Sequence, residues 1–457
     1  MTDALGWRKK FGVLAPSTNT IVEPDFHAMA VRGVTSHISR IHIRDQDLSS
    51  DEKMVRILEQ IDDEILFAVD RVITAGIDYL IMAMSAETFW EGLKGNRAFV
   101  KRLEDCQHID EIPLLFEEYG VSSFKIFMFS GGYGLHGLSD QQNLFLMINK
   151  EERYDFAHFE FIMRGLTRLM EKHPEARDTI SLSLHCEVAE ILNAYTKIVE
   201  NDSSLSGLHA YSAARPPHSE GLAICIAAYL AHETNCANIN LLHLSSRKAM
   251  EAALTMQTAF PHINFRREVT IGHLLLDVDT PSTIWAKVNP PIRPRADVEY
   301  LWQAVLNNQV DWIVSDHACC SAEQKRSAKD SDNIWLAKSG FGGTEYLLSG
   351  LFSEGSKRGM SYNHIANLLC WNPSRRFGLL EKGDIAIGYD ADLVLVNPNE
   401  TFVVSAAESE SQQGYTPFEG VELTGRVKST FLRGNLIFNN GQVLASPTGR
   451  YLKRSRY

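Results

Sequence analysis

Four residues have types and positions that suit metal chemistry: Lys125 in VSSFKIFMF, His185 in SLSLHCE, His243 in NLLHLSS and Asp316 in WIVSDHA. Each belongs to a separate apolar run that reads as a β-strand, and His185, His243 and Asp316 fall near the carboxyl ends of their runs. Neutral imidazole and carboxylate are ligands for zinc and similar ions, and three or four converging on one rim would build an open catalytic site. A lone histidine closing a strand is more often a satisfied core or loop residue; several at corresponding strand ends weaken that reading. Lys125 sits inside an apolar strand, where burying an ammonium is costly unless it is paired or modified. The other reading is a packed stem with its head in solvent at the rim, and spacing alone leaves both open.

These side chains must be positioned by an alternating α/β chain. Strand-like runs occur at FGVLAPS, HISRIHI and YLIMAMS, with the helical pattern KMVRILEQIDDEILFAVDRVITAG between the second and third. After a polar stretch around EDCQHIDE come SFKIFMFS, SLSLHC, INLLHLSS, INFRREVT and DWIVSDH, separated by segments long enough for crossover helices. Such alternation predicts an α/β fold with a mainly parallel sheet, open or closed into a barrel, whose chemistry gathers at the carboxyl strand ends. From residue 381 the texture changes to short strands and turns, with Asn440 and Gly441 forming a two-residue hairpin turn and 405–414 a polar surface loop. The expected domains are 1–105, 109–380 and 381–457. A chain of 457 residues exceeds what one core usually supports.

Composition narrows the function classes. A formal net charge of -12 argues against nucleic acid, since phosphate binding needs a concentrated basic face and the only basic cluster is the tail RYLKRSRY. No apolar run approaches the roughly 20 residues of a membrane helix, and the opening MTDALGWRKKFG lacks a signal-peptide pattern, so a cytoplasmic protein is expected. The seven cysteines show no CxxC spacing, which indicates neither a disulfide framework nor a zinc knuckle.

The stretches VSSFKIFMF, LSLHCE, LLHLSS, KVNPPIR, VSDHACCSAEQK, EKGDIAIGYDADLVLVNP, YTPFEGVELTG and GRYLKRS, in this order, resemble the cyclic-amide hydrolases of the amidohydrolase superfamily: hydantoinase, dihydropyrimidinase and allantoinase. The resemblance runs from about Ile109 to the C-terminus. It implies a partial TIM-like barrel with a small β-sandwich, a binuclear centre of zinc or another divalent metal, and assembly into dimers or tetramers. Carried over by position, Lys125 would be the carboxylated lysine bridging two metals, and His185 and His243 would hold the second. Asp316 would bind the first metal and act as general base, and Asn289 would contact the substrate ring. The implied reaction is hydrolytic opening of a cyclic amide or imide.

The chain also departs from that pattern. None of its sixteen histidines is followed by another two positions later, so the His-x-His pair that grips the family's first metal is missing. His37 and His42, five apart on one strand, face opposite sides and cannot chelate one ion together. Ser130 stands where hydantoinases carry an oxyanion-supporting tyrosine, with Tyr133 close enough in sequence to substitute. The loop SGFGGTEY lacks the asparagine that hydantoinases use on substrate.

Residues 8–104, with GVLAPSTNTIVEPDF and DYLIMAMSAETFWEG, are instead similar to the first half of maleate isomerases and arylmalonate decarboxylases of the aspartate/glutamate racemase superfamily, which implies a flavodoxin-like half-domain. Ser17, Thr18 and Asn19 would then line a carboxylate-binding loop. That family's reactive cysteine is absent, the first cysteine being Cys106, with Met84 and Ser85 near the expected place. Three readings follow: a metal-dependent cyclic-amide hydrolase, a non-catalytic assembly partner of the same fold, and an isomerase or decarboxylase centred on the N-terminal half.

Overall fold

The computed structural model describes residues 5–44, 64, 67–68, 71–82, 107–128, 156–326, 330–444 and 446–454. The chain divides into two compact units, Met1–Asp105 and Cys106–Tyr457.

In the first unit, β1 (Lys9–Pro16) lies between β2 (Val34–Ile41) and β3 (Tyr79–Met82), all parallel. The central position of β1 explains its apolar run, since Val13, Leu14 and Ala15 are wholly buried. Gly12 is required for close packing: a Cβ there would stand 2.5 Å from Cδ1 of Ile77. Ser17, Thr18 and Asn19 follow β1, and two of them are used by the backbone itself. The Ser17 hydroxyl accepts from the Ile43 N–H at 3.0 Å, and Asn19 Oδ1 accepts from the Ile21 and Val22 N–H groups at 2.9 Å. His37 of β2 meets Thr35 at 3.1 Å.

The second unit holds a five-stranded parallel sheet in simple sequential order: β4 (Ser123–Phe127), β5 (Ser181–His185), β6 (Asn238–Leu241), β7 (Asn264–Thr270) and β8 (Trp312–Val314). Sequential order without reversal is the arrangement of a barrel arc rather than of a doubly wound sheet. Helices over Phe156–Lys172, Pro217–Thr234, Arg247–Ala259 and Arg295–Leu306 fill the crossovers. They cover the middle of the sheet so fully that every residue of β5 and β6 is buried, the polar Ser181, Ser183, His185, Asn238 and Asn240 included. Among the described residues β4 and β8 are the edges, and β4 is only partly buried.

A four-stranded antiparallel sheet follows, in the order β12 (Gln442–Val443), β11 (Asn435–Asn439), β10 (Glu422–Leu432), β9 (Leu393–Val403). Asn440 and Gly441 join β11 to β12 with φ of 46° and 86°, the paired left-handed conformation of a type I′ turn. A helix over Leu347–Lys357 packs on β10, where Gly425 has φ of 98° and a Cβ would come 2.3 Å from the Phe352 ring. Gly425→Ala therefore adds both overpacking and left-handed strain. It should lower the unfolding free energy by about 2 to 3 kcal/mol in denaturant titration.

The polar stretch around EDCQHIDE passes into a helix over Gln107–Glu117. Two sequence expectations need correction. The 405–414 loop is not wholly surface: Gln413 is buried, and its Oε1 accepts from the Gly342 N–H at 2.8 Å. His243 and Asp316 are not strand residues, because β6 stops at Leu241 and β8 at Val314.

Candidate metal centre

The strand register brings the candidate residues toward one end of the five-stranded sheet. Lys125 is the middle residue of β4 and exposed; its Nζ lies 4.8 Å over the Phe127 ring, and that ring is 5.1 Å from His185. His185 closes β5 and is 1% exposed. His243 follows β6 with its ring edge-on to His185, centroids 4.4 Å apart. Asp316 follows β8 and is partly buried.

Two of these positions share an uncommon backbone. His243 has φ of 38° and Asp316 of 46°, each two residues past its strand. A left-handed non-glycine residue costs about 1 to 3 kcal/mol and tends to occur at functional sites, because the surroundings must hold it there. Here Glu268 of β7 does part of the holding. Its Oε1 accepts from the His243 backbone N–H at 3.2 Å and its Oε2 from the Trp312 indole at 2.8 Å.

The electrostatics push both imidazoles toward the neutral form. Burial is the main cause for each, opposed at His185 by the hydrogen bond to Glu187, and the Lys125 charge acts on both rings in the same direction as burial. His243 is held well below the usual histidine range, and its Nδ1 is buried without a hydrogen-bond partner among the described residues. Burial also raises the Glu268 carboxyl to about 7, with the Trp312 hydrogen bond opposing and the Asp316 charge adding.

Beside this pair runs a buried polar chain that sequence reasoning missed. His185 Nε2 meets Glu187 Oε2 at 2.7 Å, and Arg215 donates to both Glu187 oxygens, at 3.1 and 2.6 Å. Burial would raise the Glu187 carboxyl, but Arg215 and His185 outweigh it and hold it at about 2. Arg293 then donates to the Arg215 carbonyl, to Ser245 and to Glu220, at 2.5, 2.9 and 2.5 Å. Glu187 was detectable in HCE, since residues two apart in extended chain share a face. Arg215 carried no local signal, and Arg293, although it closes the KVNPPIR stretch, carried none for this role.

The substrate-side candidate, Asn289, is buried with its Oδ1 accepting from Tyr211 at 2.5 Å and from Ser339 at 3.4 Å. Ser339 opens the SGFGGTEY loop. That loop is stitched down by two fully buried lysines: Lys287 donates to the Ala337 carbonyl at 2.6 Å, and Lys325 to the Lys287 and Gly340 carbonyls at 3.0 and 2.6 Å. Ser130 and Tyr133 lie outside the described residues.

Burial holds the Lys325 amine down at about 7, against 10.5 for an ordinary lysine. Between those values the unfolded chain carries the extra proton, so the folded state gains stability as pH rises; below about 7 both states are charged and the burial cost is fully present. Lys325→Met should remove this slope. Denaturant midpoints measured from pH 7 upward should show wild type gaining up to about 1.4 kcal/mol per unit over the variant.

The family model of the Amidohydrolase family matches residues 185–437, more than half of the chain and the span from His185 to β11. The chain belongs to the amidohydrolase family. Within it, an allantoinase of Rubrobacter xylanophilus is 33% identical over 285 residues, covering 62% of this chain and 61% of the relative. An allantoinase of Escherichia coli is 31% identical over 273 residues, covering 59% and 58%. The chain thus matches about three fifths of the length of these relatives. The L-hydantoinase (dihydropyrimidinase) structure from Arthrobacter aurescens superposes with a TM-score of 0.63 at 24% identity, covering 74% of this chain and 69% of that one. Dihydropyrimidinase from Brevibacillus agri gives 0.61 at 19%, covering 96% and 79%. At these identities the likeness is one of fold, the TIM-like amidohydrolase barrel.

Amidohydrolases typically bind metal ions, and part of the site fits one. Two neutral imidazoles in edge contact, one with an unpartnered buried nitrogen, have the chemistry of a ligand pair. Among the described residues no group of three or more His, Cys, Asp or Glu side chains is placed to hold one metal ion. The Lys125 charge reaches both rings.

Proposed function

We propose that this amidohydrolase is a metal-dependent hydrolase that opens a cyclic amide or imide ring. The observation that carries the reading is the His185–His243 pair, buried and with ring centroids 4.4 Å apart at the carboxyl end of a parallel sheet. His185 and His243 would hold the ion, with zinc the expected metal and the Lys125 side chain, as its carbamate, completing the set. When bound, such an ion lowers the pKa of water from about 15.7 toward 7, so a nucleophile exists at neutral pH. Asp316, partly buried at the end of β8, would take and return the proton, and Asn289 would orient the ring. Ser130 and Tyr133 belong to this reading as candidate oxyanion contacts. It includes a cytoplasmic homo-oligomer, whose six described cysteines are all free. It also includes a β-sandwich built on β9–β12 and the domains 1–105, 109–380 and 381–457.

The N-terminal unit fits the same proposal as a maleate isomerase-like, flavodoxin-like half-domain, supported by its parallel β2-β1-β3 order. One observation favours the second reading, a non-catalytic assembly partner: the absent His-x-His pair. Metal analysis after growth with zinc and bicarbonate, with turnover assays on hydantoin, dihydrouracil, allantoin and dihydroorotate, separates the two. Bound metal and chelator-sensitive ring opening are expected; a metal-free, silent, correctly assembled protein would overturn the hydrolase reading.

A further inference from the structure

His185 is the candidate ligand whose orientation is most heavily determined. It closes β5, so its backbone is tied to β4, its carbonyl accepting from the Met128 N–H at 3.0 Å. Its ring is met from the other side by Glu187, two residues on and wholly buried. Both Glu187 oxygens accept from the Arg215 guanidinium, a geometry that a carboxylate satisfies. A carboxylate only accepts, so the 2.7 Å contact has His185 Nε2 donating its proton to Glu187 Oε2. With Nε2 committed in this way, a metal can be taken by this ring only through Nδ1.

Arg215 is itself anchored. Its carbonyl accepts from Arg293, which also binds Glu220 and Ser245, the residue two beyond His243. Two ion pairs, each with side chains no more than 3% exposed, thus form one chain linking the segment after β5 to the segment after β6. Buried ion pairs contribute little net stability compared with apolar residues of the same volume. What they supply here is a fixed placement of both candidate ligands.

We propose that Glu187, locked by Arg215, is a positioning residue that fixes the His185 ring and its tautomer so that Nδ1 faces the metal. The inference rests on the metal-binding reading above. Outer carboxylate partners of metal-bound histidines typically change metal affinity 10- to 100-fold when removed.

The test measures cobalt(II) affinity of the full-length apoprotein by competition with a chelating indicator, independently of turnover. Glu187→Ala should weaken binding by about 10- to 100-fold. Glu187→Gln retains a side chain that can reach the ring and should recover part of that loss, which a merely structural role would not predict. If wild type binds cobalt and Glu187→Ala binds it equally tightly, the positioning role is overturned while metal binding stands. If wild type binds no cobalt, the metal reading itself falls. Should Glu187→Ala fail to fold, nitrogen-15 histidine spectra of the wild-type apoprotein carry the test, with His185 assigned by His185→Gln. The proton is expected on Nε2; a proton on Nδ1 would overturn the proposal.

Discussion

Replacing His243 with alanine is expected to abolish bound metal and to lower kcat/KM for ring opening by at least about a thousandfold, some 4 kcal/mol of transition-state stabilisation. The reason lies in what the imidazole does without a metal. Its Nδ1 is buried with no partner among the described residues, and burial, with the Lys125 charge acting in the same direction, pushes the ring well below the usual histidine range. An unsatisfied buried nitrogen contributes little to folding, so truncation should cost no more than about 2 kcal/mol of stability. Alanine also keeps the Cβ already accommodated at φ of 38°. Loss of metal and activity with a stability loss no larger than this is therefore the signature of a ligand. Unchanged metal content would sink the assignment.

The largest effect on stability should come from Arg293→Ala. Its guanidinium is 1% exposed and donates to Glu220, Ser245 and the carbonyls of Ser212 and Arg215. Truncation strands the buried Glu220 carboxylate, and breaking a buried pair from one side costs about 3 to 5 kcal/mol. Lysine should rescue poorly, because a single ammonium cannot reproduce the planar fork. The double replacement Arg293→Met with Glu220→Leu should recover much of the loss, since it removes both charges together. A midpoint for Arg293→Ala close to wild type would contradict the network.

The sequence was most readable where local pattern and tertiary environment agree. β5 reads as a strand because all five of its residues are buried, and the Asn440–Gly441 turn reads from residue type alone. It was least readable where the chain defies residue preference. His243 and Asp316 leave their strands through left-handed backbone that no glycine announces, so their runs read as longer strands than they are. The polar chain beyond Glu187 depends on Arg293 bonding Glu220 from 73 residues away, a contact set by packing rather than by spacing. The lysine clasp was hidden for the same reason: Lys287 and Lys325 look like ordinary surface charges in sequence, yet both are fully buried.

That clasp gives the molecule a built-in clock. An amine held at about 7 is largely unprotonated in mildly alkaline buffer and so intrinsically quick to acylate, but Lys325 is sealed from any reagent while its bonds to the Lys287 and Gly340 carbonyls persist. Its labelling by an anhydride can then proceed only through local opening. The rate at which that one lysine gains mass, read by peptide mass spectrometry, would time how often the wall behind Asn289 and Ser339 comes apart.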